Sequence, residues 1–151
     1  MKNKTKITVV GSGYVGMSLA ILLSQNNFVN VLDIDNERVK KINKKISIIS
    51  DDEIEFYLAN KNLNLTATND KHAAYKDSNF VIIATPTNYD TDNNSFDTSS
   101  VDKVAKDALN LNTEALVVIK STIPMGHTKY LQKKFKTDRI IFSPEFLREG
   151  Q

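Results

Sequence analysis

The run Gly11-Ser12-Gly13-Tyr14-Val15-Gly16 constrains this chain more than any other stretch of it. Before it stands a short β-branched segment, Lys6-Ile7-Thr8-Val9-Val10, and after it Val15, Leu19, Leu22 and Leu23 recur at helical spacing. A strand, a glycine turn and a helix in that order predict the opening unit of a dinucleotide-binding α/β fold. Each glycine has its own task in such a unit. Gly11 permits the tight turn, Gly13 lets a pyrophosphate approach the backbone, and Gly16 lets the helix pack close to the strand. The unpaired N–H groups and positive dipole end of the helix then face the phosphates. Glycine turns are common, so the flanking strand and helix carry the inference.

The second half of the fingerprint follows at the expected distance. Val29-Asn30-Val31-Leu32-Asp33 reads as a second strand, with Asp33 about twenty residues beyond the glycines, where an acid meets the adenosine ribose. A carboxylate there accepts from the ribose hydroxyls and repels a 2′-phosphate, so the expected cofactor is NAD, not NADP. Arg38 bears on the same choice. It could receive that phosphate, although one turn into the next helix it is better placed to cover the adenine or reach the ribose edge. The competing reading of Asp33 is a helix N-cap or a strand-end carboxylate.

Apolar runs and helical stretches alternate along the rest of the chain, which predicts βαβ units and a Rossmann-like, doubly wound, mostly parallel six-stranded sheet with helices on both faces. Glu37 to Lys44 reads as a charged helix burying Val39 and Ile42, and Asp51-Asp52-Glu53 opens another through Leu58. Strands are expected at Leu63 to Thr68, Asn79 to Ala84, Ala115 to Ile119 and Arg139 to Phe142. A polar segment from Thr85 to Ser99 reads as a solvated loop, because Asp90, Asp92 and Asp97 lack the spacing of a calcium loop. A helix follows from Ser100 to Leu111, and Pro124 suits the first turn of a helix running to Phe135. His72 sits in a polar helical patch, and His127 is expected to be exposed near that helix start.

With 151 residues, the chain is one domain's worth, expected to span 1–151. The net charge of +2 is slight and the basic residues are scattered, which argues against a nucleic-acid partner. No apolar run approaches a membrane span, and the N-terminus lacks a signal peptide's apolar core, so the expected location is the cytoplasm. The absence of cysteine removes disulfides and thiolate catalysis within these residues.

In a sheet of this kind, ligands lie off the carboxyl ends of the strands. Gly11 to Gly16, Asp33, Thr85-Pro86-Thr87-Asn88, Lys120-Ser121-Thr122-Ile123-Pro124 and Ser143-Pro144-Glu145-Phe146-Leu147-Arg148-Glu149 are all expected at that edge. Hydroxyls at Thr87 and Thr122 suit a ribose, a phosphate or a water, and equally suit ordinary strand-end capping. These segments, in this order, resemble the UDP-glucose 6-dehydrogenase group of the UDP-glucose/GDP-mannose dehydrogenase family. The Phe-Leu-Arg-Glu-Gly ending favours that group over relatives acting on UDP-N-acetylmannosamine or GDP-mannose.

The resemblance implies oxidation of the sugar's C6 alcohol to a carboxylate with two NAD in turn. It implies NAD contacts from Val15, Asp33, Arg38, Thr87, Thr122 and Glu149, and a UDP-glucose site lined by Glu145, Phe146, Leu147, Arg148 and Glu149. Thr122 is expected to help hold the catalytic water and Glu145 to serve as general acid/base, a role that suits a strand-end carboxylate. The family's nucleophile is a cysteine in a later domain, and its partner lysine also lies further on. The expectation is therefore an NAD-binding portion, without the family's central helix and UDP-binding domain, inactive alone and homodimeric when complete. A free-standing nucleotide-binding or regulatory module, or the same domain of a related nucleotide-sugar dehydrogenase, is the alternative.

Overall fold

β1 (Lys6–Val10) is paired on both sides, and its alternation sorts the whole core. Ile7 and Val9 point to one face of the sheet, Thr8 and Val10 to the other, as successive strand residues must. The computed structural model describes residues 4–145. After β1 come α1 (Tyr14–Ser24), β2 (Phe28–Leu32), α2 (Asn36–Asn43), α3 (Asp52–Asn60), β3 (Leu65–Thr68), α4 (Lys71–Tyr75) and β4 (Phe80–Ile83). Then follow β5 (Asn88–Asp90), β6 (Ser95–Asp97), α5 (Ser99–Leu111), β7 (Leu116–Ile119), α6 (His127–Lys134) and β8 (Ile140–Phe142).

Six strands form one sheet in the order β3-β2-β1-β4-β7-β8, every pair parallel. Counting only those strands, this is the 3-2-1-4-5-6 order of dinucleotide-binding sheets, and its direction of winding reverses between β1 and β4. On the Ile7 and Val9 side, Met17, Ala20 and Ile21 of α1, Ile42 of α2, and Ile54 and Leu58 of α3 close one core. On the Val10 side, Ala74 and Tyr75 of α4, Val101, Ala105 and Ala108 of α5, and Leu131 of α6 close the other. Covered on both faces, β4 and β7 are apolar throughout, as is the buried stretch of β1, residues 7–10, apart from Thr8. Its buried hydroxyl donates to Ala74 O (2.5 Å) and lies 2.8 Å from Ser78 Oγ. No helix among the described residues is long and apolar enough to cross a membrane.

Several local expectations are corrected. The buried face of α1 is Gly16, Met17, Ala20, Ile21 and Ser24, not the leucine stripe. Leu19 and Leu23 pack only partly, and Leu22 is 62% exposed. Gly16, Ala20 and Ser24 let the helix lie close on the sheet, Met17 and Ile21 fill the core beside them, and the leucines flank the contact. The polar stretch after β4 is an antiparallel hairpin, β5 against β6, with Tyr89 edge-on to Phe96 at 5.1 Å between ring centroids. Pro124 lies outside α6, because Gly126 at φ +82° caps that helix and forces its start to His127. The third strand begins at Leu65.

Candidate functional site

The carboxyl ends of β2, β1, β4, β7 and β8 stand side by side in that order, and each carries one of the expected segments. At roughly 4.8 Å per strand, the row from Asp33 to Glu145 is about 19 Å long. That length accommodates an extended ligand lying across strand ends.

The glycine turn leaves β1 with Gly11 at φ +98°, its N–H donating to Leu32 O (2.9 Å). A Cβ on Gly11 would sit 2.6 Å from Ala84 O, so both the backbone conformation and the space exclude a side chain. A Cβ on Gly16 would sit 2.0 Å from Gly11 O, which shows how close α1 approaches the turn. At Gly13 the same test meets nothing within 4 Å. Gly13 is the N-cap of α1, and no side chain caps that helix; its first turn carries no acid. By contrast α2, α3 and α4 are capped by the carboxylates of Asp35, Asp51 and Asp70. The α1 terminus thus offers open space, backbone donors and a positive dipole end, which fit a pyrophosphate.

Asp33 directly follows β2, and its carboxylate is engaged within the protein. Its Oδ2 accepts from the Ser12 amide (3.0 Å) and from the Ser12 hydroxyl, and its Oδ1 accepts from the Asp35 amide (2.9 Å). Asp35, not Asp33, caps α2, so the N-cap reading of Asp33 is excluded. Arg38 reaches back over the turn, its guanidinium donating to Ser12 O (3.1 Å) and Ser12 Oγ (3.3 Å). Ser12 is buried and joins the acid, the guanidinium and the glycine turn into one unit. Three hydrogen bonds on Asp33 leave capacity for a further donor, as a ribose hydroxyl requires.

The β4 and β7 ends are held by hydroxyls that sequence reasoning passed over. Ser121 is buried and donates to Thr85 O (2.6 Å), while Ser100 donates to Pro86 O (3.0 Å) and lies 3.1 Å from Thr85 Oγ1. A small hydroxyl residue two positions after a strand, or in the first turn of a helix, was the available signal for each. Among the described residues, Thr87 and Thr122 have no internal hydrogen-bond partner, so neither caps a strand end. Their hydroxyls remain available to a ligand.

Beyond β8, Glu145 lies 3.9 Å from Lys120 Nζ, and that ammonium donates to Ser143 Oγ (3.0 Å). Phe146, Leu147, Arg148 and Glu149 lie outside the described residues. His127 is corrected. Its side chain is 12% exposed, and its Nε2 is 2.7 Å from Asp102 Oδ1, joining α6 to α5. His72 is exposed. Asp92 and Asp97 of the hairpin are exposed, and the Asn93 side chain and the Asp92 and Asn93 amides hold the Asp90 carboxyl below its usual range.

Residues 5–151 match the profile described as the UDP-glucose/GDP-mannose dehydrogenase family, NAD binding domain. The chain is 55% identical over 146 residues to the UDP-glucose 6-dehydrogenase of Streptococcus pneumoniae, covering 97% of this chain and 37% of that protein. It is 48% identical over 147 residues to the Campylobacter jejuni UDP-glucose 6-dehydrogenase, covering 96% and 37%. Among solved structures, a UDP-D-ManNAc dehydrogenase from Pyrococcus horikoshii superposes with a TM-score of 0.87 at 28% identity, covering 97% of this chain and 37% of that one. The chain therefore spans a little over a third of the length of these relatives.

Proposed function

The chain belongs to the UDP-glucose/GDP-mannose dehydrogenase family, as its NAD-binding domain, and from that premise we propose that it serves a UDP-glucose 6-dehydrogenase. The observation that carries the cofactor assignment is the uncapped N-terminus of α1 beneath the open position at Gly13, one residue from the Ser12–Asp33 contact. The sugar assignment is supported by what the two bacterial relatives are named to act on.

In this reading Gly11, Ser12, Gly13, Tyr14, Val15 and Gly16 surround the pyrophosphate, and Asp33 takes the ribose hydroxyls with Arg38 beside them. Thr87 and Thr122 supply hydroxyls further along the strand ends. When bound, NAD supplies a two-electron hydride acceptor, so passing from an alcohol to a carboxylate takes two in turn and one water. Thr122 orients that water, and Glu145 moves the proton as it attacks a cysteine-bound intermediate. The cysteine belongs to another part of the enzyme, because residues 1–151 contain none. Glu145 to Glu149 line the UDP-glucose side, and Glu149 also reaches NAD. The complete enzyme is a cytoplasmic homodimer, and this domain alone is inactive.

Calorimetry on the isolated chain tests the proposal. NAD is expected to bind, NADP to bind at least about tenfold more weakly, and UDP-glucose to bind weakly or not at all. Tighter binding of NADP, or sugar oxidation by this chain alone, would contradict it. In the full-length enzyme, turnover of UDP-ManNAc faster than of UDP-glucose would move the sugar assignment to the relative that the Pyrococcus horikoshii structure represents.

A further inference from the structure

The ends of β7 and β8 carry a charged pair to which the cofactor assignment gives no part. Lys120 follows β7 directly. Its amide donates to Ile83 O (2.8 Å), continuing the ladder to β4, while its side chain crosses the other way to Ser143 Oγ (3.0 Å) and Glu145 Oε2 (3.9 Å). The side chains of Lys120 and Glu145 are 16% and 22% exposed. A lysine so withdrawn from water needs acceptors for its donors and an opposite charge nearby. Ser143 supplies an acceptor and Glu145 the charge. At 3.9 Å the latter is an ion contact, not a hydrogen bond.

The surroundings make this pair stiff. Ser121, next along, is buried and bonded to Thr85 O, and the following residue is Thr122. On the other side, the Ser143 amide donates to Ile119 O (3.0 Å). Lys120 is thus stitched through its main chain to β4 and through its side chain to the segment leaving β8.

We infer that Lys120 is a positioning residue for Glu145, tying the segment that carries the carboxylate to the turn that carries Thr122. The inference rests on the proposed acid/base role of Glu145. A purely structural ion pair would stabilise the edge of the sheet but would not act on turnover through that carboxylate.

A double-mutant cycle in the full-length enzyme separates these. Lys120→Met, Glu145→Gln and the double variant are compared for kcat and KM on UDP-glucose, with NAD affinity measured by calorimetry. Glu145→Gln is expected to lower kcat by about 100-fold or more. Lys120→Met is expected to lower kcat about tenfold, with KM and NAD affinity within about twofold of the parent. The double variant is expected to be no slower than Glu145→Gln alone, because nothing remains to be positioned. Lys120→Arg, which restores the charge, is expected to recover most of the lost rate.

Unchanged kcat in Lys120→Met overturns the inference, as does a double variant slower by the full factor of the single change, or a parallel loss of NAD affinity. Should Lys120→Met fail to fold, Ser143→Ala removes the lysine's anchor and must show the same non-additivity with Glu145→Gln; additive effects there overturn it equally. Unchanged turnover in Glu145→Gln would instead sink the acid/base role itself, and Lys120 with it.

Discussion

Two glycines two residues apart are retained for opposite reasons, and the difference is measurable. Gly11 is held by its own backbone and by Ala84, so Gly11→Ala is expected to destabilise the domain by about 2–4 kcal/mol in chemical denaturation. Gly13→Ala places its Cβ in open space at φ −73°, so only the N-cap preference is lost, about 1 kcal/mol or less. NAD affinity is nonetheless expected to fall at least about tenfold, because the new methyl occupies the pyrophosphate's approach. Equal affinity of Gly13→Ala and parent for NAD would place the cofactor elsewhere. Asp33→Asn is expected to narrow the preference for NAD over NADP and to weaken the turn, since the same carboxylate binds Ser12. Dinucleotide titrations and a melting curve of that variant report the two effects separately. The glycines and Asp33 were legible in the sequence because their requirements are local or fall at a fixed spacing. Ser12 as their junction was not, because its partners lie 21 and 26 residues away.

The elements themselves follow from short-range physics, and their errors are short-range too. β-branched runs became strands, and the Asp-led starts of α2, α3 and α4 became capped helices. The start of α6 was misjudged because proline and glycine compete as punctuation. Gly126 took the left-handed turn, leaving Pro124 in the approach, with the His127 amide donating to Pro124 O (3.1 Å). That shift turns His127 inward onto Asp102, which also lies 3.8 Å from Lys134. The pair joins the first turns of α5 and α6. His127→Ala leaves Asp102 without this 2.7 Å contact, and a loss of about 1 kcal/mol is expected in urea unfolding. A variant as stable as the parent would show that the two helix ends are held by apolar packing alone.

At the scale of the whole molecule, the sheet separates two cores, and Tyr75 is the largest side chain fully buried in either. Burial pushes its phenol well above the ordinary value of 10.0, and the Asp107 carboxylate adds to the shift. The sign follows from linkage: the folded state resists ionisation more than the unfolded chain, so this contribution is complete below pH 10 and lost as pH rises further. Tyr75→Phe is expected to lose less stability than the parent between neutral pH and pH 11 when both are followed by circular dichroism. Parallel decline of the two would show that Tyr75 does not carry the alkaline sensitivity.

By itself the sequence determined the strand–turn–helix opening, the acid twenty residues on, and the alternation that demands a parallel sheet. These depend on backbone sterics and on periodicities of two and 3.6, which act between near neighbours. Tertiary structure alone decided which face of α1 is buried, that Ser12 binds Asp33 and Arg38 together, and that Thr87 and Thr122 keep their hydroxyls unused. It also decided that Lys120 meets Glu145. Each of these depends on which elements become neighbours, and parallel strands stack in an order their sequence order does not reveal.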